Sequence, residues 1–228
     1  MTQILIVAAH PDDEILGIGG TAARHVSNGD RVHTLILAEG ATSRFFKKKK
    51  DADAEVNALR KAARAAAKII GAQPPIFAGF PDNRLDSIDL LEIVKAIEKV
   101  IEKIKPATIY THHEGDLNVD HELAARAVLT ACRPLPTCSV TSIFGFETAS
   151  NTEWHSPGYR AFDPNHFVDI APFIKKKMQA LHCYEREMRS FPHPRSYEAI
   201  EALAKWRGAS AGMHAAEAFT VVRQLSRI

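Results

Sequence analysis

His10, Asp12, Asp13 and Glu14 put one imidazole and three carboxylates within five positions, directly after the apolar run Ile4–Val7. Ionisable groups this dense need strong charge compensation, and a divalent cation supplies it most directly. Imidazole nitrogen and carboxylate oxygen are standard zinc donors, and a catalytic zinc takes three of them with one position left open. His10 and Asp13 are separated only by a tight turn, so both can address one ion. A second rich stretch, His112-His113-Glu114-Gly115-Asp116-Leu117-Asn118-Val119-Asp120-His121, offers the third donor, and its three histidines compete for the position. His112 and His113 are adjacent, so in extended backbone they point to opposite sides; one of them is read as structural. His121 lies where a loop hands over to a helix, beside Asp120, a carboxylate suited to orienting an imidazole. A lone histidine would be read as a turn or capping residue. Here acids accompany both stretches, and the expected ligand set is His10, Asp13 and His121. Zinc is the first expectation, with iron, cobalt and manganese compatible with the same donors.

Such side chains must be delivered to one place by the elements around them. Ile4–Ala9 reads as a buried strand, followed by a helix over Glu14–Ser27 and a strand over Arg31–Ala38. A helix over Asp53–Ile70 closes at Gly71, and a short strand spans Ile76–Phe80. Apolar residues at 90, 91, 94, 97, 101 and 104 predict a helix over Leu90–Ile104. A strand at Thr108–Thr111, a helix at Glu122–Cys132 and a strand at Ser139–Phe146 follow, then helices at Ile170–Arg189 and Tyr197–Gly208. Strands alternating with helices predict an α/β fold, Rossmann-like, with a mostly parallel sheet covered by helices on both faces. Residues 1–228 read as one domain. All strand C-termini then share one edge, so the segments after Ala9, Ala38, Phe80, Thr111 and Phe146 should face a common crevice.

Bulk properties narrow the partners. The chain has 228 residues, 46% hydrophobic and 25% charged, with a net charge of +2 that argues against a nucleic-acid partner. Lysines 47–50, next to Asp51 and Asp53, read as a solvated approach to a helix. Three cysteines without CxxC spacing suggest neither a disulfide framework nor a zinc knuckle, and fit a reducing compartment. No signal peptide is expected, because Ile4–Ala9 is too short for its apolar core and lacks a basic segment before it. No membrane span is expected, because no apolar run approaches ~18 residues. A cytoplasmic protein acting on a small molecule is the expectation, and homo-oligomerisation is left open.

Ala9-His10-Pro11-Asp12-Asp13-Glu14 after an N-terminal strand, with Asn118-Val119-Asp120-His121 in mid-chain, resembles the PIG-L/LmbE family of metal-dependent de-N-acetylases. Thr42-Ser43-Arg44, Pro81-Asp82-Asn83-Arg84-Leu85-Asp86, Thr152-Glu153-Trp154 and Pro192-His193-Pro194-Arg195-Ser196 are similar to segments of bacterial members. The resemblance implies His10, Asp13 and His121 as metal ligands, Asp12 as general base toward water, and Asp120 as an orienting residue. Several members carry a histidine where this chain has Asn118. An asparagine amide can donate a hydrogen bond to an oxyanion but cannot shuttle a proton, so His113 or Asp12 is left to protonate the leaving amine. The implied activity is zinc-dependent removal of an N-acetyl group from an amino sugar or its conjugate, releasing acetate. Arg44 and Arg84 suit an anionic group on such a substrate, and Asp86 suits its hydroxyls. Asp82-Asn83-Arg84 is equally turn chemistry. Glu147 and Arg195 are weaker candidates.

Two rival readings follow from the same residues. Gly17-Ile18-Gly19-Gly20-Thr21-Ala22 fits G-x-G-x-x-A, with Glu39 at the end of the next strand, as in a dinucleotide-binding oxidoreductase. Seven residues separate Ala9 from Gly17, however, and the intervening acids would repel a pyrophosphate. Close packing of a helix against the sheet explains the glycines better. A non-catalytic carbohydrate-binding protein on the same scaffold is the other alternative.

Overall fold

Among the residues described by the computed structural model (1–41, 43, 49–156 and 158–226), strands β1 (Gln3–Ala8), β2 (Arg31–Ala38), β3 (Ile76–Phe80), β4 (Thr108–His112) and β5 (Ser142–Phe146) are parallel. Two further strands, β6 (His166–Asp169) and β7 (Ala216–Gln224), complete a sheet of order β3-β2-β1-β4-β5-β7-β6, with β7 antiparallel to both neighbours. The chain leaves β1 for β2 on one side and returns to β4 on the other. A crevice opens beyond the strand ends at such a reversal.

Helices α1 (Asp13–Ser27), α2 (Lys49–Ile70), α5 (Ile174–His182) and α6 (Tyr197–Ala209) cover one face, while α3 (Leu90–Ile104) and α4 (Val119–Ala131) cover the other. The strand repeat of two explains the division. Ile4 and Ile6 pack with Ile15, Leu59, Leu181 and Ile200, whereas Leu5 and Val7 pack with Ile97 and Val128.

Helix α1 lies unusually close to β5. A Cβ at Gly17 would sit 2.2 Å from Phe146 Cδ2, so the glycines serve the helix–sheet contact. Glu39 accepts from Arg60 at 3.5 Å. A buried ion pair also grips α1. Lys177 Nζ lies 2.6 Å from Glu217 Oε1 and donates to the Leu16 carbonyl at 2.7 Å, and Glu217 accepts the Gly20 and Thr21 N–H groups at 2.9 and 2.6 Å.

The last third departs from the pattern-based expectation. The helix predicted over Ile170–Arg189 is only α5, because Ile170 prolongs the β6 register by bonding Ala215 O and Pro172 disfavours helix at Ala171. Strands β6 and β7 were not expected, and β5 begins at Ser142 rather than Ser139. Helix α4 begins three residues early, since Asn118 Oδ1 caps Asp120 N–H at 2.9 Å. No helix of the described residues is long and apolar enough to cross a membrane.

Candidate metal centre and active site

The end of β1 and the start of α4 bring His10, Asp13 and His121 together. His10 Nδ1 lies 3.3 Å from His121 Nε2 and 3.3 Å from Asp13 Oδ2, and His121 Nε2 lies 3.2 Å from Asp13 Oδ2. A tetrahedral ion with bonds of ~2.0–2.1 Å has donor–donor edges of about 3.3 Å. The triangle therefore has the dimensions of one face of such a coordination shell. Asp13 Oδ1 is buried with no hydrogen-bond partner. An orphaned carboxylate oxygen beside two convergent imidazole nitrogens is the donor chemistry that a divalent cation satisfies.

Each imidazole turns its other nitrogen to a carboxylate. His10 Nε2 lies 3.0 Å from Asp120 Oδ2 and 3.3 Å from Asp82 Oδ1. His121 Nδ1 lies 3.1 Å from Asp116 Oδ1, close but poorly aligned for a hydrogen bond. Asp120 thus supports His10 across the crevice rather than its chain neighbour His121. The supporting carboxylates are themselves fixed: Asp120 Oδ1 accepts Leu85 N–H at 2.9 Å, and Asp116 Oδ2 accepts the Thr152 hydroxyl at 2.6 Å. Such partners set the tautomer and raise the basicity of a ligating imidazole.

The electrostatics favour positive charge here. Burial alone would lower the pKa of His10, yet Asp120 and Asp13 carry it up to about 10. For His121, Asp13 and Asp116 outweigh burial and raise it to about 9. Burial works against Asp13 as well, but His121 and His112 hold it well below the usual carboxylate range. A site that draws protons this strongly offers the same field to a metal.

His112 takes a different part. Its Nε2 accepts Ala9 N–H at 2.9 Å and its Nδ1 pairs with Thr148 Oγ1 at 3.1 Å, so both ring nitrogens are occupied. Burial, with His121 beside it, keeps it neutral. Asp13 Oδ2 is 3.5 Å away but faces the ring nitrogen that already accepts the Ala9 hydrogen. His113 is turned from the cluster, and its Nε2 donates to Arg160 O at 2.5 Å.

Asp12 stands beside the triangle without belonging to it. Its backbone has φ 118° and ψ −32°, a region that non-glycine residues rarely occupy. Its Oδ2 accepts from Arg195 Nη1 at 2.7 Å, while Arg195 Nε donates to Ser150 Oγ at 2.8 Å. Burial pushes the Asp12 carboxyl up to about 8, with Arg195 opposing the rise. Arg195 arrives from 183 positions away, and only its place in Pro192–Ser196 marked it in the sequence.

A polar cavity of about 130 Å³ opens over these groups, lined by His10, Asp12, Asp82, Asn118, Glu187 and Arg195 among others. Asn118 Nδ2 donates to Asn83 Oδ1 at 3.0 Å on its rim. A larger cleft, about 430 Å³ between α2 and residues 182–187, holds none of this chemistry. Arg84 and Asp86 are exposed and do not line the polar cavity. Arg44 lies outside the described residues. Glu147 is engaged by Arg207 through two bonds of 2.8 and 2.7 Å.

Comparison with known proteins bears on the family and the fold. The chain is 30% identical to an uncharacterized deacetylase, YaiS, of Escherichia coli K12 over 152 residues, covering 64% of this chain and 74% of that protein. It is 24% identical to a probable N-acetyl-alpha-D-glucosaminyl L-malate deacetylase 2 of Bacillus anthracis, covering 80% of each. Its fold matches N,N'-diacetylchitobiose deacetylase of Pyrococcus horikoshii with a TM-score of 0.79 at 17% identity, covering 97% of this chain and 84% of that one. It also matches GalB, the 4-carboxy-2-hydroxymuconate hydratase of Pseudomonas putida KT2440, with a TM-score of 0.78 at 23% identity, covering 100% and 98%. The scaffold alone therefore does not set the reaction. The sequence pattern of PIG-L, described as GlcNAc-PI de-N-acetylase, matches residues 5–132, and the chain belongs to this family of amide-hydrolysing deacetylases.

Proposed function

We propose that the protein removes the acetyl group from an N-acetylated amino sugar or small amino-sugar conjugate, with a zinc or similar divalent ion held by His10, Asp13 and His121. The observation that carries this reading is the 3.2–3.3 Å donor triangle with the buried, Arg195-paired carboxylate of Asp12 beside it, next to a polar cavity that His10 and Asp12 line. When bound, the ion supplies Lewis acidity toward water and the acyl oxygen.

The side chains account for the remaining steps. Water adds its oxygen to the acyl carbon while its proton passes to an Asp12 carboxylate oxygen. Arg195 holds Asp12 in place and favours its charged form. The protonated carboxyl then returns that proton to nitrogen as the C–N bond breaks, giving acetate and a free amine. His113 is turned away, so Asp12 serves as both base and acid in this scheme. Asn118 has a second amide hydrogen beyond the one given to Asn83, suited to the acyl oxygen. Loss of one such donor typically costs about 2.7–4 kcal/mol in the transition state. Asn83, Asn118, Asn151 and Glu187 supply hydrogen-bonding groups for sugar hydroxyls. The names of the relatives, glucosaminyl malate and diacetylchitobiose deacetylases, support an N-acetylglucosamine-type substrate. Three free cysteines support a reducing, cytoplasmic setting.

The test is acetate release over a panel of N-acetylated sugars and sugar conjugates, with metal analysis of the purified protein and of Asp12→Asn. The expected result is one divalent ion per chain in both, with activity lowered by about 10²–10⁴-fold in the variant. A protein that takes up no divalent ion, or a variant as active as the wild type, refutes the scheme.

A further inference from the structure

Asp12 occupies its unusual backbone conformation because its peptide is held on both sides. Its carbonyl accepts Ile15 and Leu16 N–H groups at 2.9 Å each, as the start of α1 requires. Its own N–H donates to Glu14 Oε2 at 3.0 Å. The other oxygen of Glu14 accepts the Tyr184 hydroxyl at 2.5 Å. Both residues are almost wholly enclosed, Glu14 at 3% and Tyr184 at 1% exposure, and neither lines the polar cavity. Tyr184 belongs to the turn that follows α5, where its N–H bonds Leu181 O at 2.9 Å. A strained peptide persists only where its surroundings over-determine it. Here one carboxylate, braced by one phenol from a distant segment, supplies that constraint.

We propose that Glu14 and Tyr184 are positioning residues for the reaction, locking the Asp12 peptide so that its carboxylate faces the cavity. This rests on the reading of Asp12 as the base. An ordinary helix cap would stabilise α1 without affecting turnover. A positioning pair acts on turnover, because a displacement of ~1 Å at a reacting group can cost about 10²-fold in rate. Glu14 is needed for the two hydrogen bonds it makes, to Asp12 N–H and to the Tyr184 hydroxyl, rather than for its charge. A glutamine can bond the same partners, its amide oxygen taking Asp12 N–H and its amide hydrogen going to the Tyr184 oxygen.

The test compares Tyr184→Phe, Glu14→Met and Glu14→Gln with the wild type and with Asp12→Asn, measuring kcat, KM, bound metal and urea midpoint. Tyr184→Phe removes one oxygen from a packed ring and is the variant most certain to fold. The expected result is a kcat loss of roughly 10-fold for Tyr184→Phe and roughly 100-fold for Glu14→Met. KM and metal content should stay within about 2-fold, and Glu14→Gln should recover to within about 3-fold of wild type. Folded variants with wild-type kcat overturn the proposal, and so does a loss of kcat that merely follows a loss of metal. Should Glu14→Met not fold, Tyr184→Phe and Glu14→Gln decide the matter between them. An Asp12→Asn protein with full activity would instead refute the role of Asp12 itself, a different failure with a different signature.

Discussion

Replacing Lys177 by methionine is expected to destabilise the protein by about 3–5 kcal/mol, the usual loss when one member of a buried ion pair is removed. The structure says why the upper part of that range applies. Both side chains are 5% exposed, so Glu217 would be left without its cationic partner in a place water scarcely reaches. Leu16 C=O would lose its donor as well. The reciprocal change, Glu217→Met, strands an ammonium and two N–H groups of α1. The double variant should behave differently. Gly20 N–H and Leu16 C=O are the two ends of one i→i−4 helical rung, so once both charged side chains are gone they can satisfy each other. Thr21 N–H can do the same with Gly17 C=O. The double variant should therefore cost no more than about 2 kcal/mol, less than either single change, leaving a coupling energy of several kcal/mol. Urea unfolding of the four proteins, compared at matched m-values, measures this cycle. Additive losses, or a Lys177→Met loss under about 1 kcal/mol, would refute the reasoning.

Three further outcomes are expected. Gly17→Ala brings a methyl to 2.2 Å from the Phe146 ring and should lower stability by about 1–3 kcal/mol in a thermal or urea melt. Adding Zn²⁺ to chelator-treated protein should raise Tm in a concentration-dependent way, by the equivalent of about 2.7 kcal/mol at a hundredfold excess over Kd, and His121→Ala should abolish the rise. Asp30 provides a pH test away from the metal site. Burial would raise its pKa, but His25 at 2.9 Å and Thr2 N–H at 3.0 Å hold it below its ordinary value. A depressed folded-state pKa gives stability that is present above the unfolded value of about 3.9 and is lost as pH falls through the folded one. The stabilisation of wild type over Asp30→Asn, read as a melting difference, should thus be present at about pH 5 and be lost as the pH falls below about 4.

The parallel half of the fold was legible because its signals are local. Apolar runs such as Ile4–Val7 and the one-sided helix at Leu90–Ile104 carry their own periodicity. The common strand edge then follows from topology alone, and with it the meeting of His10, Asp13 and His121. The antiparallel strands were not legible. In β7 the first four residues, Ala216–Phe219, are all buried, and the inward acid Glu217 interrupts any apolar pattern. Pairings set by how the loop after β4 folds were equally hidden. Asp120 sits next to His121 in the chain but bonds His10, and Asp116, five residues before His121, takes the place expected of Asp120. Arg195 and Tyr184 reach the site from segments whose spacing reveals nothing about the turn after Ala9.

The proposed donors to a metal ion all come from the first 121 residues, within the stretch that matches the family, whereas Asn151, Tyr184, Glu187 and Arg195 come from beyond it. The chemistry proposed for this site therefore draws on both stretches, because Arg195 and Tyr184 brace Asp12 and Glu14 from across the crevice. Exchanging the portion behind β5 for a foreign one would thus take away the braces of Asp12 and Glu14 and the Lys177–Glu217 grip on α1 along with the cavity wall, so the two halves have to be inherited together.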